Sequence, residues 1–140
     1  MNGKVKYSLD TNIVSEILRE NEIVQKNFRQ ALQEDSPIYI CSIVYYEIVR
    51  GLKTAGKFRL LRNFLELNSK LPHLMLDKDN YETIDKAVEI YVQLHKGKQI
   101  EDNDIYIAAT AIVNDCTLVT ANVKHFERVE GLKLINWREF

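Results

Sequence analysis

Short apolar segments alternate with amphipathic ones along almost the whole of this 140-residue chain, and this alternation limits the folds open to it. Val5, Tyr7 and Leu9 alternate with polar residues and indicate a first strand, and residues 38–41 indicate a second. Further strands are expected at 73–76, within the segment NDCTLVT and at 132–135. Strands that alternate with helices form a parallel sheet covered on both faces. We therefore expect a three-layer α/β/α sandwich whose central, mainly parallel sheet has about five short strands.

Several residues predict details of the helices between these strands. Ser42 and Asp102 stand where helical patterns begin, and their side chains are good N-caps. Phe58, Leu61 and Leu65 recur at helical spacing, so we expect them to form the apolar stripe of one helix. The helix after Asp102 is apolar on nearly all sides and should be largely buried.

Length and composition fit one globular domain, which we expect to span residues 1–140. No apolar run approaches the roughly 20 residues of a membrane span, and the first residues lack the apolar core of a signal peptide. A cytoplasmic protein is therefore expected. Cys41 and Cys116 form neither a CxxC motif nor a zinc-binding pattern, so we expect two reduced thiols in the core.

Three acidic residues stand between β-prone and helical segments. Asp10 follows the first strand, Glu47 lies about one helical turn after the second, and Asp104 opens the helix before the fourth. Because the carboxyl ends of parallel strands share one edge of the sheet, these acids can converge there. Converging carboxylates repel one another unless a cation or protons compensate, and oxygen-only ligands favour Mg²⁺ or Mn²⁺ over zinc. The sequence thus predicts a metal-dependent phosphodiesterase.

Each of these acids also has a purely structural interpretation. Asp10 could serve only as a helix N-cap, and Asp104 could favour a helix N-terminus through the macrodipole. Glu47 could pair with Arg50, one helical turn further on. This is the weakest of the three alternatives, because Glu47 lies among apolar residues where unpaired acids are rare.

A basic stretch follows Glu47 closely. Residues 50–65 contain five basic residues and no acidic one. Arg50, Lys53 and Lys57 share one face of a helix, which favours contact with a phosphate backbone, although a solvated helix face would give the same pattern. His125 lies in a link near the proposed site and could touch RNA.

Four motifs occur in a fixed order along the chain: LDTNI at 9–13, SIVYYEIVRGL at 42–52, NDIYIAATA at 103–111 and LVTANVKHFERVEGLKLINW at 118–137. With these motifs the chain resembles PIN-domain ribonucleases, and is most similar to the VapC-type toxins of bacterial and archaeal toxin–antitoxin pairs. The resemblance implies a PIN-like fold, Mg²⁺- or Mn²⁺-dependent endoribonuclease activity and a cognate VapB-type antitoxin.

The resemblance also implies roles for individual residues. Asp10, Glu47 and Asp104 match the catalytic, metal-binding acids of the family. Thr11 and Asn12 match polar residues that support the first of these acids.

A second group of matched positions lies near the fourth predicted strand. Thr120 matches a hydroxyl at the end of that strand. Many PIN domains carry a fourth acid two residues later, where this chain has Asn122. Loss of that charge argues against tight binding of a second metal. Asp102 could partly substitute for it.

The implied chemistry is hydrolysis of RNA by a metal-activated water, which needs no ribose 2′-hydroxyl as nucleophile. By resemblance the products carry a 5′-phosphate and a 3′-hydroxyl. The implied antitoxin lays an apolar helix into a groove and a basic side chain into the acidic site. A homodimer is also expected, through exposed apolar residues on helices before Leu71.

Three other functions fit these residues less well. A phosphorylated receiver domain would need a second acid where Thr11 stands, and an aspartate-nucleophile phosphohydrolase would need one in place of Asn12. The third alternative is a catalytically weak PIN domain that acts as an RNA- or partner-binding module. The presence of all three acids argues against it.

Overall fold

The centre of the fold is a parallel sheet, seen in a computed structural model that describes residues 4–77 and 80–139. Within these residues the sheet has five strands: β1 (Tyr7–Leu9), β2 (Ile38–Cys41), β3 (His73–Leu74), β4 (Thr117–Val119) and β5 (Lys133–Ile135). Every neighbouring pair is parallel. This confirms the expected sheet, although β1 and β3 are shorter than their sequence patterns suggested.

Helices flank the sheet in the expected α/β/α arrangement. They are α1 (Thr11–Leu18), α2 (Glu22–Gln33), α3 (Ser42–Thr54), α4 (Phe58–Lys70), α5 (Glu82–Leu94), α6 (Asp102–Val113) and α7 (Val123–Phe126). None of the described helices is both long and apolar enough to cross a membrane.

The strand order β3-β2-β1-β4-β5 determines where a site can form. From β1 the chain builds outward through β2 to β3, and then crosses to the other side of β1 to add β4 and β5. The connections that leave β1 and β4 therefore diverge, which opens a crevice at the carboxyl ends of these two strands. Open α/β sheets commonly bind ligands at such a switch point.

The core lies between this sheet and the helices packed on it. Leu9, Leu118 and Val119 on the central strands are fully buried, and so are Ile107 and Ala108 on α6. The predicted burial of α6 is therefore correct. Cys41 and Cys116 are buried and free, as expected.

Two predicted helix caps are wrong. The N-cap positions of α3 and α6 are Cys41 and Glu101, whose extended backbones precede each helix, and neither side chain forms a capping hydrogen bond. The Ser42 hydroxyl instead accepts a hydrogen bond of 3.3 Å from the backbone N–H of Leu76. Asp102 is exposed in the first turn of α6, where its negative charge interacts favourably with the helix dipole.

The predicted apolar stripe of α4 is also partly wrong. Leu61 is buried as expected, but Phe58 and Leu65 are 60% and 41% exposed. The buried partner of Leu61 is Phe64, whose ring centroid lies 5.8 Å from that of Tyr45 on α3. The inward face of the helix is thus set by Leu61 and Phe64, three residues apart, because α3 packs on that side.

Candidate active site

Asp10 lies at the switch point, between the end of β1 and the start of α1. Its side chain is only 4% exposed and caps α1, since Oδ1 accepts the backbone N–H of Thr11 at 2.8 Å. Oδ2 accepts the Thr120 hydroxyl at 2.8 Å. Burial raises the pKa of Asp10 to about 6; the charges of Asp104 and Glu47 also raise it, while the two hydrogen bonds lower it. Each oxygen of Asp10 thus accepts one hydrogen bond from the fold and keeps a second lone pair for another partner.

Polar contacts join the two connections that diverge at the switch point. Thr120 is fully buried at the end of β4, and its hydroxyl accepts the backbone N–H of Asn122 at 3.0 Å. The Asn12 side-chain oxygen accepts the backbone N–H of Ala121 at 3.1 Å. These bonds hold the carboxyl ends of β1 and β4 in a fixed relation around Asp10.

Glu47 points toward the same edge from α3. Its Oε1 accepts the Thr11 hydroxyl at 2.6 Å, and its Oε2 accepts the side-chain amide of Asn103 at 3.1 Å. Arg50 does not contact it. The Arg50 guanidinium instead lies 4.8 Å from the ring centroid of Tyr46 and 3.4 Å from its hydroxyl. The alternative of a Glu47–Arg50 pair is therefore wrong.

Asp104 enters from the first turn of α6 and is half-buried. Its Oδ2 lies 2.8 Å from Nε2 of His125 on α7. Burial raises the pKa of Asp104, and Glu47 and Glu101 raise it further, whereas the bond and the charge of His125 lower it. When Asp104 is ionised it only accepts hydrogen bonds, so Nε2 of His125 is then the donor of this bond.

The three acids form one electronegative cluster. The pKa of Asp10 responds to both Asp104 and Glu47, and that of Asp104 responds to Glu47. Among the residues of the described structure, Asp10 and Glu47 form no ion pair. Their oxygens are held by neutral donors, and each carboxylate oxygen keeps a second lone pair for another partner.

The chemistry of these side chains suits a metal ion, but the side chains are not already arranged around one. The cluster offers only oxygen ligands, which suits a hard divalent cation. Across residues 4–77 and 80–139, however, no three His, Cys, Asp or Glu side chains already stand close enough together to hold a metal ion. A shared cation would have to draw the carboxylates inward from their threonine, asparagine and histidine partners.

Comparison with known proteins agrees with this arrangement, because the family model of the PIN domain matches residues 7–132. The chain belongs to the PIN-domain family. It is 33% identical over 132 residues to ribonuclease VapC2 of Rickettsia felis, covering 94% of this chain and 97% of that relative. It is 36% identical over 135 residues to ribonuclease VapC1 of Methanocaldococcus jannaschii, covering 94% of each.

Solved structures of VapBC complexes are also similar to this PIN domain. Superposition on VapBC2 of Rickettsia felis, bound to a DNA fragment from its promoter, gives a TM-score of 0.84 at 29% identity, over 95% of this chain and 99% of that one. DNA-bound VapBC of Salmonella typhimurium gives 0.82 at 26% identity, over 95% and 98%. The predicted PIN-like fold and VapC-type resemblance are thus confirmed.

The PIN domain carries a cleft beside Glu47, with a volume of about 330 Å³. Thr11 and Glu47 are among its lining residues, Arg19 and Lys57 contribute positive charge, and most other lining residues are apolar. Of the three basic residues predicted to bind RNA, the structure brings Lys57 to this cleft. Arg50 and Lys53 are exposed on α3 and do not line it.

Two residues at the acid cluster were missed or misjudged from the sequence. Asn103 donates to Glu47, and its position directly before Asp104 was the available signal. His125 was expected only as an RNA contact, whereas its ring bonds Asp104. Asp102, considered as a substitute fourth acid, is exposed and forms no hydrogen bond or ion pair with the residues that the structure describes.

Proposed function

We propose that this PIN domain is a metal-dependent endoribonuclease and the toxin of a toxin–antitoxin pair. The observation that carries the proposal is the cluster of Asp10, Glu47 and Asp104 at the switch point, where the first two acids have no cationic partner within the described structure. The names of its VapC relatives, which are ribonucleases, support RNA as the substrate.

Asp10, Glu47 and Asp104 are the residues that would hold Mg²⁺ or Mn²⁺. When bound, such a cation neutralises charge on the phosphate and lowers the pKa of a coordinated water. Asn122 is exposed and adds no charge to the cluster, which favours one well-held cation. Burial is the main cause that raises the pKa of Asp10 and Asp104, and the neighbouring acids raise it further; a bound cation would offset that repulsion.

The chain's own residues orient the carboxylates and move the proton. Thr11 and Thr120 hold Asp10, Thr11 and Asn103 hold Glu47, and His125 holds Asp104. A carboxylate of the cluster accepts the proton of the attacking water as the oxygen attacks phosphorus. The bond from phosphorus to the 3′ oxygen breaks, and that oxygen takes a proton from solvent. The products are a 5′-phosphate and a 3′-hydroxyl end.

A VapB-type antitoxin is the proposed partner. The cleft beside Glu47 suits an apolar helix that carries one basic side chain, because its lining is mostly apolar and includes the Glu47 carboxylate. The similar VapBC structures support a partner of this kind. A homodimer belongs to the same proposal. Exposed apolar side chains are available for it on the helices before Leu71, at Tyr45 and Tyr46 on α3 and at Phe58 on α4.

A cytoplasmic location is part of the proposal as well. Cys41 and Cys116 are both free, which suits a reducing compartment. RNA in that compartment would then be within reach of the enzyme.

Cleavage of RNA by the purified protein tests the activity directly. The wild type should cut a single-stranded RNA when Mg²⁺ or Mn²⁺ is present and should stop when the metal is chelated. Asp10→Asn should abolish cutting. Asp115→Asn is the matched control, since Asp115 is exposed and pairs with Lys133 away from the cluster. Equal cutting by the wild type and Asp10→Asn would rule out the proposed role of the acids.

A further inference from the structure

A second cleft, of about 250 Å³, opens on the other side of the acid cluster. It lies between the connection from α5 to α6 and the segment around α7, and is lined by Lys98, Gln99, Ile100, Asn122, Lys124, His125 and Arg128. Three of these residues are cations, two carry amide side chains and none is acidic. The lining is therefore suited to an anion.

The second cleft is connected to the acids at two points, through one residue at His125 and through two at Asn122. His125 lines it and contacts Oδ2 of Asp104 at 2.8 Å. Asn122 lines it and donates its backbone N–H to Thr120, whose hydroxyl bonds Asp10. An anion in the second cleft would thus lie directly beside the site that cuts the phosphodiester.

Arg128 joins the two walls of this cleft. Its guanidinium donates to the backbone carbonyl of Lys98, and its own carbonyl accepts the Gln93 side-chain amide at 2.7 Å. A Cβ added at Gly97 would lie 3.0 Å from the guanidinium, so the connection passes close to it. Arg128 therefore links the two segments that line the cleft.

Lys98 and Lys124 differ from Arg128 because their amines do not take part in holding the described structure together. Both side chains are exposed, and neither forms a hydrogen bond or ion pair with the rest of the described chain. A free ammonium group that lines a cleft can neutralise a phosphate and release its counterions.

We infer that the second cleft binds a backbone phosphate of the RNA strand next to the bond that the acids cut. The inference rests on the proposed function and adds a substrate subsite to it. Three carboxylates repel a polyanionic strand, so cations beside them are needed to bring it close. Together with Lys57 in the first cleft, these cations give the strand a path with positive charge on both sides of the cluster.

Salt-dependent RNA binding tests the subsite. All variants would also carry Asp10→Asn, so that the RNA is not cleaved during the measurement. We would measure the fluorescence anisotropy of a short labelled single-stranded RNA with Mg²⁺, over a range of NaCl concentrations. Lys98→Ala/Lys124→Ala should weaken binding at low salt. It should also reduce the slope of log K against log salt by about 0.7 for each phosphate that loses its cation. Lys98→Arg/Lys124→Arg should keep the slope.

The control removes the same charge from the opposite edge of the sheet, at two lysines whose ion pairs with Asp35 and Glu66 are exposed. Lys4 precedes β1, and Lys70 ends α4 shortly before β3, so both lie at the amino ends of strands. Lys4→Ala/Lys70→Ala should leave the slope unchanged. Thermal unfolding of all variants checks that they fold.

The outcomes separate the subsite from the proposed function. Equal slopes for the wild-type cleft and Lys98→Ala/Lys124→Ala, with the wild-type enzyme cutting RNA, would overturn the subsite alone. Equal losses in the cleft and control variants would do the same, because they would indicate a general charge effect. A wild type that neither binds nor cuts RNA with Mg²⁺ would overturn both.

Discussion

The hydroxyl of Thr120 donates a hydrogen bond of 2.8 Å to Oδ2 of Asp10, joining residues 110 positions apart. Both groups are buried, and the same hydroxyl accepts the backbone N–H of Asn122. Thr120 therefore connects the carboxyl ends of β1 and β4 at the point where the sheet order switches. It also determines how the innermost carboxylate of the cluster is oriented.

Thr120→Val should destabilise the protein by about 1–3 kcal/mol, because it leaves a buried carboxylate oxygen and a backbone N–H without a partner while keeping the side-chain shape. The pKa of Asp10 should rise further, since the lost bond favours the charged form. Urea unfolding measures the first effect. Thr120→Ser keeps the hydroxyl and should stay close to the wild type; equal loss in Ser and Val variants would contradict this role.

Stability should depend on pH through Asp10 in metal-free buffer. The pKa of Asp10 in the folded protein, about 6, exceeds the ordinary aspartate pKa of 3.8, so the folded state holds the proton more tightly. Stability from this group is fully present below pH 3.8 and is lost as pH rises through 6. The difference between these pKa values corresponds to about 3 kcal/mol.

Asp10→Asn should therefore stabilise the metal-free protein above pH 6 and have little effect near pH 4, because Asn still caps α1. Urea unfolding at several pH values measures the difference. Asp115→Asn is a control for which we expect the opposite change in stability, since Lys133 lowers the pKa of Asp115. An Asp10→Asn protein that is less stable than the wild type at pH 8 would contradict the assigned pKa.

The sheet could be predicted from the sequence because strand and helix patterns alternate along the chain. Parallel strands bring their carboxyl ends to one edge, so Asp10, Glu47 and Asp104 could be placed there without knowing any distance. The caps were not accessible, since Ser42 and Asp102 lie one residue inside helices whose start is set by strand ends and loops. Local propensity does not contain that information.

The side chains that contact the acids could also not be predicted from the sequence. His125 meets Asp104 across 21 residues, and only the packing of α7 beside α6 brings them together. Arg50 had the correct helical spacing to reach Glu47, yet its guanidinium lies on the Tyr46 ring. The cationic lining of the second cleft comes from two separate segments, so no continuous run of basic residues in the sequence could predict it.

Mg²⁺ should stabilise the wild type but not Asp10→Asn or Asp104→Asn, because ligand binding to the folded state adds free energy. The gain is about 2.7 kcal/mol when the free cation is 100-fold above its Kd. Thermal unfolding with and without Mg²⁺ measures it. Asp102→Asn is the matched control: Asp102 is exposed two residues from Asp104, and this variant should respond to Mg²⁺ as the wild type does. Loss of the response in Asp102→Asn would instead make Asp102 a ligand.

His125→Phe should lower RNA cleavage about 10- to 100-fold, the usual cost of removing a group that orients a metal ligand. The ring would keep its edge contact with Phe126, but Asp104 would lose its donor and its pKa would rise. The loss should appear as a weaker response to Mg²⁺ in a metal titration of activity. His125→Gln can still donate through its amide and should recover part of the activity. His95→Phe, at the exposed end of α5, is the control. If His125→Phe required no more Mg²⁺ than the wild type, the histidine would act on RNA and not through Asp104.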